Sequence, residues 1–151
     1  MRALIQRVSQ AQVVIEEKVN GKIEAGLLVL LGITHEDTQV DIDWLVRKLT
    51  QLRIFKDEAG KMNLSVADIA GGMLVISQFT LFANSRKGNR PSYTRSAPPP
   101  VAIPLYEQFL KTLKAQFAGP VETGEFGADM KVSLLNDGPV TIMLDSKQPD
   151  M

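Results

Sequence analysis

The sequence predicts an α+β fold in which a mostly antiparallel sheet packs against two main helices. Short apolar or alternating segments indicate about eight strands. Only two longer segments carry apolar residues at helical spacing, and turn residues separate most of these segments. The chain has 151 residues, a length typical of one domain with a substantial core, so we expect a single domain over residues 1–151.

The first part of the chain is predicted to form strands. Residues 2–8 alternate in polarity and place Arg7 on the same side as apolar residues, and a second strand covers Val13–Ile15. Asn20-Gly21 predicts a hairpin turn, because both central residues of a type I′ turn need positive φ. The unbroken apolar segment Leu27–Ile33 predicts a buried central strand.

Two amphipathic segments predict the helices. Residues 38–53 form the first, with Asp41 in a capping pair at its start. The second is expected to begin near Pro100, because Pro104 is tolerated only in a first turn. Gly119-Pro120 ends it.

Five further segments are predicted as strands: Met62–Leu64, Met73–Phe82, Val121–Thr123, Lys131–Leu135 and Val140–Leu144. We expect Asn136–Pro139 to be the turn between the last two strands. The tail, Ser146–Met151, is expected to be frayed.

Composition narrows the classes of function. Basic and acidic residues number 17 each, so the formal net charge is zero and the protein is not broadly cationic. The absence of cysteine excludes disulfides, thiolate nucleophiles and cysteine-based zinc sites. The N-terminus lacks the apolar core of a signal peptide and no apolar segment reaches membrane-spanning length, so we expect a cytoplasmic protein.

The strongest functional signal lies at the end of the central apolar strand. Ser77, Gln78 and Thr80 stand among large apolar residues, where polar groups need partners or a ligand, although such side chains often only satisfy the backbone. No acidic residue occurs between Asp68 and Glu107. That interval holds four basic residues, Arg86, Lys87, Arg90 and Arg95. This pattern predicts a site for an anionic, phosphate-bearing substrate, the alternative being an ordinary solvated surface.

Two further positions could carry function. His35 is the only histidine and hence the only partner for a Ser-His or Thr-His pair. We interpret it as a loop residue near a helix start, which leaves the chemistry without a conventional side-chain base. Gly138-Pro139 can be cis, because its tertiary amide lowers the trans preference to roughly 0.5–1 kcal/mol, and Gly138 permits close approach of another backbone or a ligand.

These motifs together resemble a known family. The segments Ser77–Leu81 and Asn136–Thr141, in this order and at this spacing, are similar to the two signature motifs of the D-aminoacyl-tRNA deacylases. The resemblance covers nearly the whole chain, including Met1–Val8, the loop Arg86–Ser92 and the proline-led second helix. It implies a D-aminoacyl-tRNA deacylase-like fold with a barrel-like core.

The resemblance also implies an activity. Such an enzyme hydrolyses the ester between a D-amino acid and the 3′-terminal adenosine of tRNA, accepts mischarged glycyl-tRNA as well, and so proofreads chirality in translation. The implied assembly is a homodimer in which a cis Gly138-Pro139 pair of one subunit excludes L-amino acids from the site of the other. Neither a metal nor an organic cofactor is expected, and neither a membrane nor DNA is expected as a partner.

Roles for individual residues follow from the same resemblance. The implied catalytic residues are Ser77, Gln78, Phe79 and Thr80, with backbone N–H groups around Phe79 and Thr80 stabilising an oxyanion. Thr80 is either a nucleophile or a water-orienting group, and the 2′-hydroxyl of the tRNA is the implied proton acceptor. The implied substrate-binding residues are Leu81, Met130, Asn136, Gly138 and Pro139. The implied tRNA-binding residues are Arg86, Lys87 and Arg90.

Two other functions fit parts of the pattern, and the first of them is not catalytic. A non-catalytic RNA-binding module would use the basic loop and Tyr93, but it leaves the polar strand end and the Gly-Pro pair unexplained. A hydrolase with Thr80 as nucleophile would act on small acyl esters without RNA. Hydrolysis assays with charged tRNA and with a small ester separate the three.

Overall fold

The computed structural model describes residues 1–150, so Met151, the end of the predicted tail, lies outside the described residues. The elements in chain order are β1 (Arg2–Ile15), β2 (Lys18–Ile23), β3 (Gly26–Gly32), α1 (Gln39–Gln51), β4 (Phe55–Lys56), β5 (Met62–Leu64), β6 (Gly72–Ser77), a 3₁₀ turn (Phe79–Phe82), α2 (Pro99–Gln116), β7 (Val121–Thr123) and β8 (Lys131–Asp145). The helices of residues 1–150 lack the combination of length and hydropathy that a membrane-spanning helix needs.

The main sheet confirms the predicted α+β class and its barrel-like core. Its strand order is β2-β1-β3-β6-β7, and β8 pairs with the other side of β1. All three pairings of β1 are antiparallel, whereas β3–β6 and β6–β7 are parallel. The sheet curls until its ends meet, where Asn20 Nδ2 donates a 2.8 Å hydrogen bond to the carbonyl of Thr123. The barrel is therefore nearly closed between β2 and β7.

The core lies on both faces of this sheet. Alternate residues of β1, β3 and β6 pack against α1 and α2, and the largest of the fully buried side chains on the helices is Phe109. The opposite faces of β1, β3 and β6, with part of β8, enclose a second apolar cluster inside the curl of the sheet. Because β3 and β6 are buried on both faces, they form the rigid centre from which the loops at their carboxyl ends extend.

The predicted hairpin turn at Asn20-Gly21 is wrong. The turn lies at Glu16 and Glu17, whose φ values are 48° and 64°. These two residues therefore supply the positive angles that a type I′ turn needs. Asn20 is instead an unpaired extra residue in β2, because the register passes from Val13↔Gly21 to Val14↔Val19. The asparagine closes the barrel, and a Cβ at Gly21 would lie 2.9 Å from the Thr123 carbonyl oxygen.

The predicted turn at Asn136–Pro139 is also wrong. β8 is one strand that runs antiparallel to nearly the whole of β1. Between the pairs Gln6↔Thr141 and Val8↔Asn136, four residues of β8 stand opposite one residue of β1. Residues 137–139 of the predicted turn therefore belong to a large bulge within a continuous strand, where the extra residues stand out from the ladder.

Three smaller predictions also need correction. The strand predicted over Met73–Phe82 ends at Ser77, and the chain turns into the 3₁₀ segment. α2 begins at Pro99, so Pro104 lies in its second turn. Proline has no N–H to donate to the carbonyl of Pro100, and both residues are exposed. The first two residues of the tail are anchored: Ser146 Oγ and Lys147 Nζ both donate to the Asp41 carboxylate.

Asp41 joins the start of α1 to that tail. Besides the bonds from Ser146 and Lys147, its carboxylate accepts a 2.8 Å hydrogen bond from the backbone N–H of Thr38. Burial alone would raise its pKa, but the hydrogen bonds from Ser146, Lys147 and Thr38 outweigh burial and lower the pKa to about 2. The ionised carboxylate is therefore part of the native fold.

We expect Asp41→Asn to lower the free energy of unfolding at pH 7 by about 2 kcal/mol, since each pKa unit is worth about 1.36 kcal/mol. The folded pKa lies below the unfolded value of 3.8. The contribution is therefore complete above about pH 4 and disappears as pH falls toward 2. Urea unfolding should show that the difference in unfolding free energy between the wild type and Asp41→Asn is smaller at pH 2.5 than at pH 7. The control is Asp43→Asn, at an exposed position of the same helix, which should cost less than about 0.5 kcal/mol.

Candidate active site

A cavity of about 290 Å³ opens where the parallel strands β3 and β6 end. Leu31 of β3 pairs with Ser77 of β6, and the backbone N–H of Gln78 donates a 2.7 Å bond to the Leu31 carbonyl. The two strands therefore place the site at one edge of the sheet. The cavity is lined by Leu31, Ile33, Ile76, Ser77, Gln78, Phe79, Ser96, Ala97, Ala102, Phe126, Gly127, Ala128, Met130 and Val132.

The lining of this cavity is apolar with a few polar groups. Ser77, Gln78 and Ser96 supply its polar side chains, and no lining residue has an ionisable one. An uncharged organic group fits such a surface better than a charged group does. A reaction in this cavity has to use backbone groups, hydroxyls, water or the substrate itself as its polar participants.

The 3₁₀ turn gives the cavity two unused backbone donors. Gln78 donates its N–H to Leu31, and Leu81 donates its N–H to the Gln78 carbonyl, but within residues 1–150 the N–H groups of Phe79 and Thr80 have no acceptor. Two adjacent free N–H groups beside a cavity can bind an oxygen atom that gains negative charge. This is the most chemically specific feature of the strand end.

Thr80 lies in the 3₁₀ turn beside the cavity. Its Oγ1 accepts a short hydrogen bond from Gln78 Nε2, an amide group that cannot remove a proton from the hydroxyl. His35 contacts a different part of the surface, where its Nε2 lies 3.1 Å from the Thr94 carbonyl oxygen. Among the described residues, Thr80 thus has no side-chain base of the kind that a nucleophilic threonine uses.

The far end of the 3₁₀ turn is held by Arg2. Arg2 Nη1 donates a 2.9 Å bond to the Leu81 carbonyl, and the guanidinium stacks 4.7 Å from the Phe82 ring centroid. Asp145 orients Arg2 through a 2.7 Å ion pair. Leu81 itself is not part of the cavity wall. Its role in this structure is to anchor the turn that carries the two free N–H groups.

The cavity wall formed by residues 126–132 was not predicted from the sequence, except for Met130. Phe126 packs against Tyr106 with ring centroids 5.8 Å apart, and Tyr106 donates from its hydroxyl to the Val75 carbonyl. Burial raises the pKa of Tyr106 to about 12, so the phenol stays a donor at physiological pH. The position of Met130 depends on Gly124, because a Cβ at residue 124 would lie 2.3 Å from the Met130 sulfur. The sequence feature that could have indicated this wall is an aromatic residue, Phe126, between Gly124 and Gly127.

The β8 bulge carries the second predicted motif. The Gly138-Pro139 peptide bond is cis, as the resemblance implied, and Gly138 has a φ of 124°, which L side chains rarely adopt. Asn136 Nδ2 donates to the carbonyls of Arg7 and Val140 at 3.0 and 3.1 Å. Asn136, Gly138 and Pro139 do not line the cavity of their own chain. Within one chain, the structure thus separates the two motifs that the sequence predicted to share a site across the dimer.

Arg7 holds this bulge, and it is a functional candidate that the sequence reasoning missed. Its guanidinium is only 3% exposed and donates to the carbonyl of Ile54 and, over 3.2 Å, to that of Asp137. It also forms a 3.1 Å ion pair with the Asp137 carboxylate. The signal was an arginine on the apolar side of a strand, since buried charges are rare unless paired.

The basic loop stands out from the surface beside the 3₁₀ turn. Asn84 and Ser92 close it through two backbone hydrogen bonds of 2.8 and 2.9 Å. Arg86, Lys87 and Arg90 are exposed, and none of them takes part in a salt bridge within residues 1–150. Their positive charge is therefore available to an anionic ligand.

Known proteins resemble this chain over nearly its full length. The family model described as D-Tyr-tRNA(Tyr) deacylase matches residues 4–145. A D-aminoacyl-tRNA deacylase of Thermosipho africanus is 59% identical over 148 residues, covering 98% of this chain and 99% of that protein. One of Cytophaga hutchinsonii is 58% identical over 147 residues, covering 97% and 98%.

Solved structures give the same result for the fold. A protein described as c-Myc DNA Unwinding Element Binding Protein superposes with a TM-score of 0.91 at 41% identity, covering 96% of this chain and 98% of that one. A probable eukaryotic D-amino acid tRNA deacylase superposes with a TM-score of 0.81 at 17% identity, covering 95% and 98%, and this likeness supports the fold alone. The family match and the closely similar relatives show that this chain belongs to the D-Tyr-tRNA(Tyr) deacylase family.

Proposed function

We propose that this protein hydrolyses the ester that joins a D-amino acid to the 3′-terminal adenosine of tRNA, as the names of its relatives describe for them. Water forms a bond to the acyl carbon, the bond from that carbon to the ribose oxygen breaks, and the 3′-oxygen takes up a proton. The products are the free D-amino acid and a tRNA that can be charged again. The pair of free N–H groups at Phe79 and Thr80 is the observation that carries the proposal.

The chemistry assigns these groups to the oxyanion. As water attacks the ester carbonyl, its oxygen becomes negative, and each well-placed N–H donor contributes about 2.7–4 kcal/mol to stabilising it. Ser77 and Gln78 at the cavity wall supply further hydrogen bonds to the adenosine or the ester. Since no lining side chain is ionisable, the 2′-hydroxyl of the substrate is the group we propose to orient the water and relay its proton.

Chiral selection is proposed to need a second subunit. Gly138 and Pro139 lie outside the cavity of their own chain, so they can reach a cavity only in a partner. β8 pairs only with β1 among the described residues and carries Leu135 at 58% exposure. A two-fold dimer through β8 would cover this surface and bring the bulge of one chain to the cavity of the other. Sedimentation showing a fully active monomer would contradict this assembly.

A single panel of substrates tests the activity. The protein is incubated with D-Tyr-tRNA, L-Tyr-tRNA, Gly-tRNA and D-Tyr ethyl ester, and released amino acid is measured. We expect hydrolysis of D-Tyr-tRNA and Gly-tRNA only, because glycine has no β-carbon that the Gly138-Pro139 bulge of the second subunit could exclude. Hydrolysis of the ethyl ester would favour a small-ester hydrolase. Binding of tRNA without release would favour an RNA-binding module.

We expect Thr80→Ala to slow hydrolysis of D-Tyr-tRNA by no more than about tenfold, against the roughly 10⁶-fold loss on removing a triad nucleophile. The reason is that Thr80 Oγ1 is bonded to an amide donor and has no base beside it. Thr80→Ser, which keeps the hydroxyl, is the matched control. A D-tyrosyl ester trapped on Thr80 after acid quenching would establish the nucleophilic role instead.

The basic loop is proposed to bind the phosphates of the acceptor end. Replacing Arg86, Lys87 and Arg90 by alanine should weaken tRNA binding and flatten the dependence of log affinity on log salt by about 0.7–0.9 for each phosphate that is no longer bound. The matched control changes the net charge equally at three exposed lysines elsewhere, Lys18, Lys56 and Lys61. An identical slope for the two triple variants would remove the loop from the interface.

A further inference from the structure

The surface beside the cavity carries an exposed pair of aromatic rings. Phe79 is 55% exposed and Tyr93 is 39% exposed, although large aromatic side chains are generally buried. Their rings meet edge to face, with centroids 5.0 Å apart and an interplanar angle of 73°. Phe79 also belongs to the cavity wall, whereas Tyr93 lies outside it. The pair therefore extends the cavity outward across the surface.

The backbone around Tyr93 is held on both sides. Immediately before it, Asn84 and Ser92 exchange two backbone hydrogen bonds. Immediately after it, His35 contacts the Thr94 carbonyl and Thr34 Oγ1 donates to the Arg95 carbonyl. A ring on such a fixed segment loses little conformational freedom when a ligand stacks on it.

The charge around the pair favours one kind of ligand. Arg86, Lys87, Arg90 and Arg95 are exposed and free of salt bridges within residues 1–150, and the sequence has no acidic residue between Asp68 and Glu107. An apolar peptide or a second apolar surface would gain nothing from this charge. Aromatic faces combined with cations that follow a backbone are the elements of a single-stranded nucleic-acid site.

We propose that Phe79 and Tyr93 form a stacking platform for the unpaired base that precedes the terminal adenosine of an RNA 3′ end. Phe79 lines the cavity and Tyr93 lies outside it, so the platform extends past the aminoacylated adenosine to the neighbouring nucleotide. The proposal rests on the proposed function for the direction in which the RNA enters. It adds that the enzyme recognises the single-stranded end by a second base as well as by its terminal nucleoside and phosphates.

The test compares the affinities of two probes that carry no amino acid, measured by calorimetry at fixed ionic strength. It therefore does not depend on hydrolysis. The probes are cytidylyl-3′,5′-adenosine and adenosine 5′-monophosphate, which share an adenosine with a phosphate on its 5′ oxygen. We expect the wild type to bind the dinucleotide about tenfold or more tightly than the mononucleotide, as a stacked base would give. Tyr93→Leu, which keeps an apolar contact to Phe79, should bring this ratio close to one.

Two further variants complete the design. Tyr93→Phe keeps the aromatic face and should keep the wild-type ratio, and Val40→Ala, at an exposed apolar position on α1, should not change it. An unchanged ratio in Tyr93→Leu would overturn the platform. An equal loss of affinity for both probes would overturn it too, because Tyr93 would then serve only to position Phe79. Failure of the substrate panel with an intact probe ratio would contradict the proposed hydrolysis and leave the platform standing.

Discussion

Gly26→Ala should cost this protein more than about 4 kcal/mol of its free energy of unfolding, an effect that few single substitutions reach. In the parallel register Gly26 pairs with Gly72. A Cβ at residue 26 would lie 1.9 Å from the Gly72 carbonyl oxygen and 2.8 Å from its carbonyl carbon and nitrogen. These are backbone atoms inside a sheet buried on both faces, so no side chain can rotate to make room.

The consequence extends to the site. β3 and β6 must separate or shear to admit the methyl group, and their carboxyl ends hold Leu31 and Ser77 at the cavity. We therefore expect Gly26→Ala to lose soluble expression and D-Tyr-tRNA hydrolysis together. Urea unfolding measures the stability of whatever fraction folds.

Gly88→Ala is the matched control. Gly88 has no neighbouring atom within 4 Å of an added Cβ, and its φ is +73°. Alanine there should cost only the roughly 1–2 kcal/mol of the left-handed conformation. Equal unfolding midpoints for the two variants would show that the strands adjust to the methyl group and that the close approach is not required.

The sequence predicted the elements whose own pattern of apolar residues determines how they are buried. The two helices appeared within a few residues of their predicted positions because their apolar stripes have helical spacing and pack on one face of the sheet. The buried strands β3 and β6 were predicted for a similar reason, since a continuous apolar segment needs burial on both sides.

The two failed turns have a common cause. Asn20-Gly21 and Gly138-Pro139 are strong local turn signals, but both lie opposite the long strand β1, and pairing along that strand converts each into a bulge. Whether a Gly-containing pair ends a strand or bulges from it depends on the length of the partner strand. That length was not visible locally, because β1 itself had been predicted as two shorter strands.

The part of the candidate site that is formed by consecutive residues could be predicted from the sequence. Ser77, Gln78 and Phe79 are consecutive, and their position at the end of an apolar strand indicated a site. Phe126 reaches the same cavity from a much later part of the chain through its contact with Tyr106, which no local pattern indicates. Arg7 likewise acts through backbone carbonyls, and carbonyls carry no sequence signature.

Arg7→Lys should reduce the preference for D-Tyr-tRNA over L-Tyr-tRNA by at least about tenfold, an energy of about 1.4 kcal/mol. The guanidinium donates at once to the carbonyls of Ile54 and Asp137, and its Nη2 lies 2.9 Å from where a Cβ of Gly138 would be. A planar fork of donors can tie the bulge to a neighbouring segment in this way. An ammonium group is a single point and cannot occupy both positions.

The loss should be accompanied by a measurable change in stability. Ile54 is a buried residue whose carbonyl accepts from Arg7, so leaving that carbonyl without a donor costs about 1–3 kcal/mol. Arg7→Lys retains the charge and reduces this cost relative to Arg7→Leu. The stability of both variants is measured by urea unfolding, and kinetics are then compared only under conditions where each is fully folded.

Asp137→Asn separates the ion pair from the backbone contact. The Asp137 side chain is 58% exposed, so its ion pair with Arg7 should be worth less than about 1 kcal/mol. Its backbone carbonyl still accepts from Arg7 Nε after the substitution. We therefore expect Asp137→Asn to keep nearly the wild-type preference for D-Tyr-tRNA.

The ratio of D to L hydrolysis is the measurement that identifies a positioning role. A purely structural effect of Arg7 would lower both rates by the same factor, since fewer molecules would be folded. A displaced Gly138-Pro139 bulge should instead admit the L-aminoacyl ester while hydrolysis of the D-ester falls or stays constant. A fully folded Arg7→Lys enzyme with the wild-type ratio would show that the bulge keeps its position without the guanidinium fork, because the β8 ladder and Asn136 would then hold it alone.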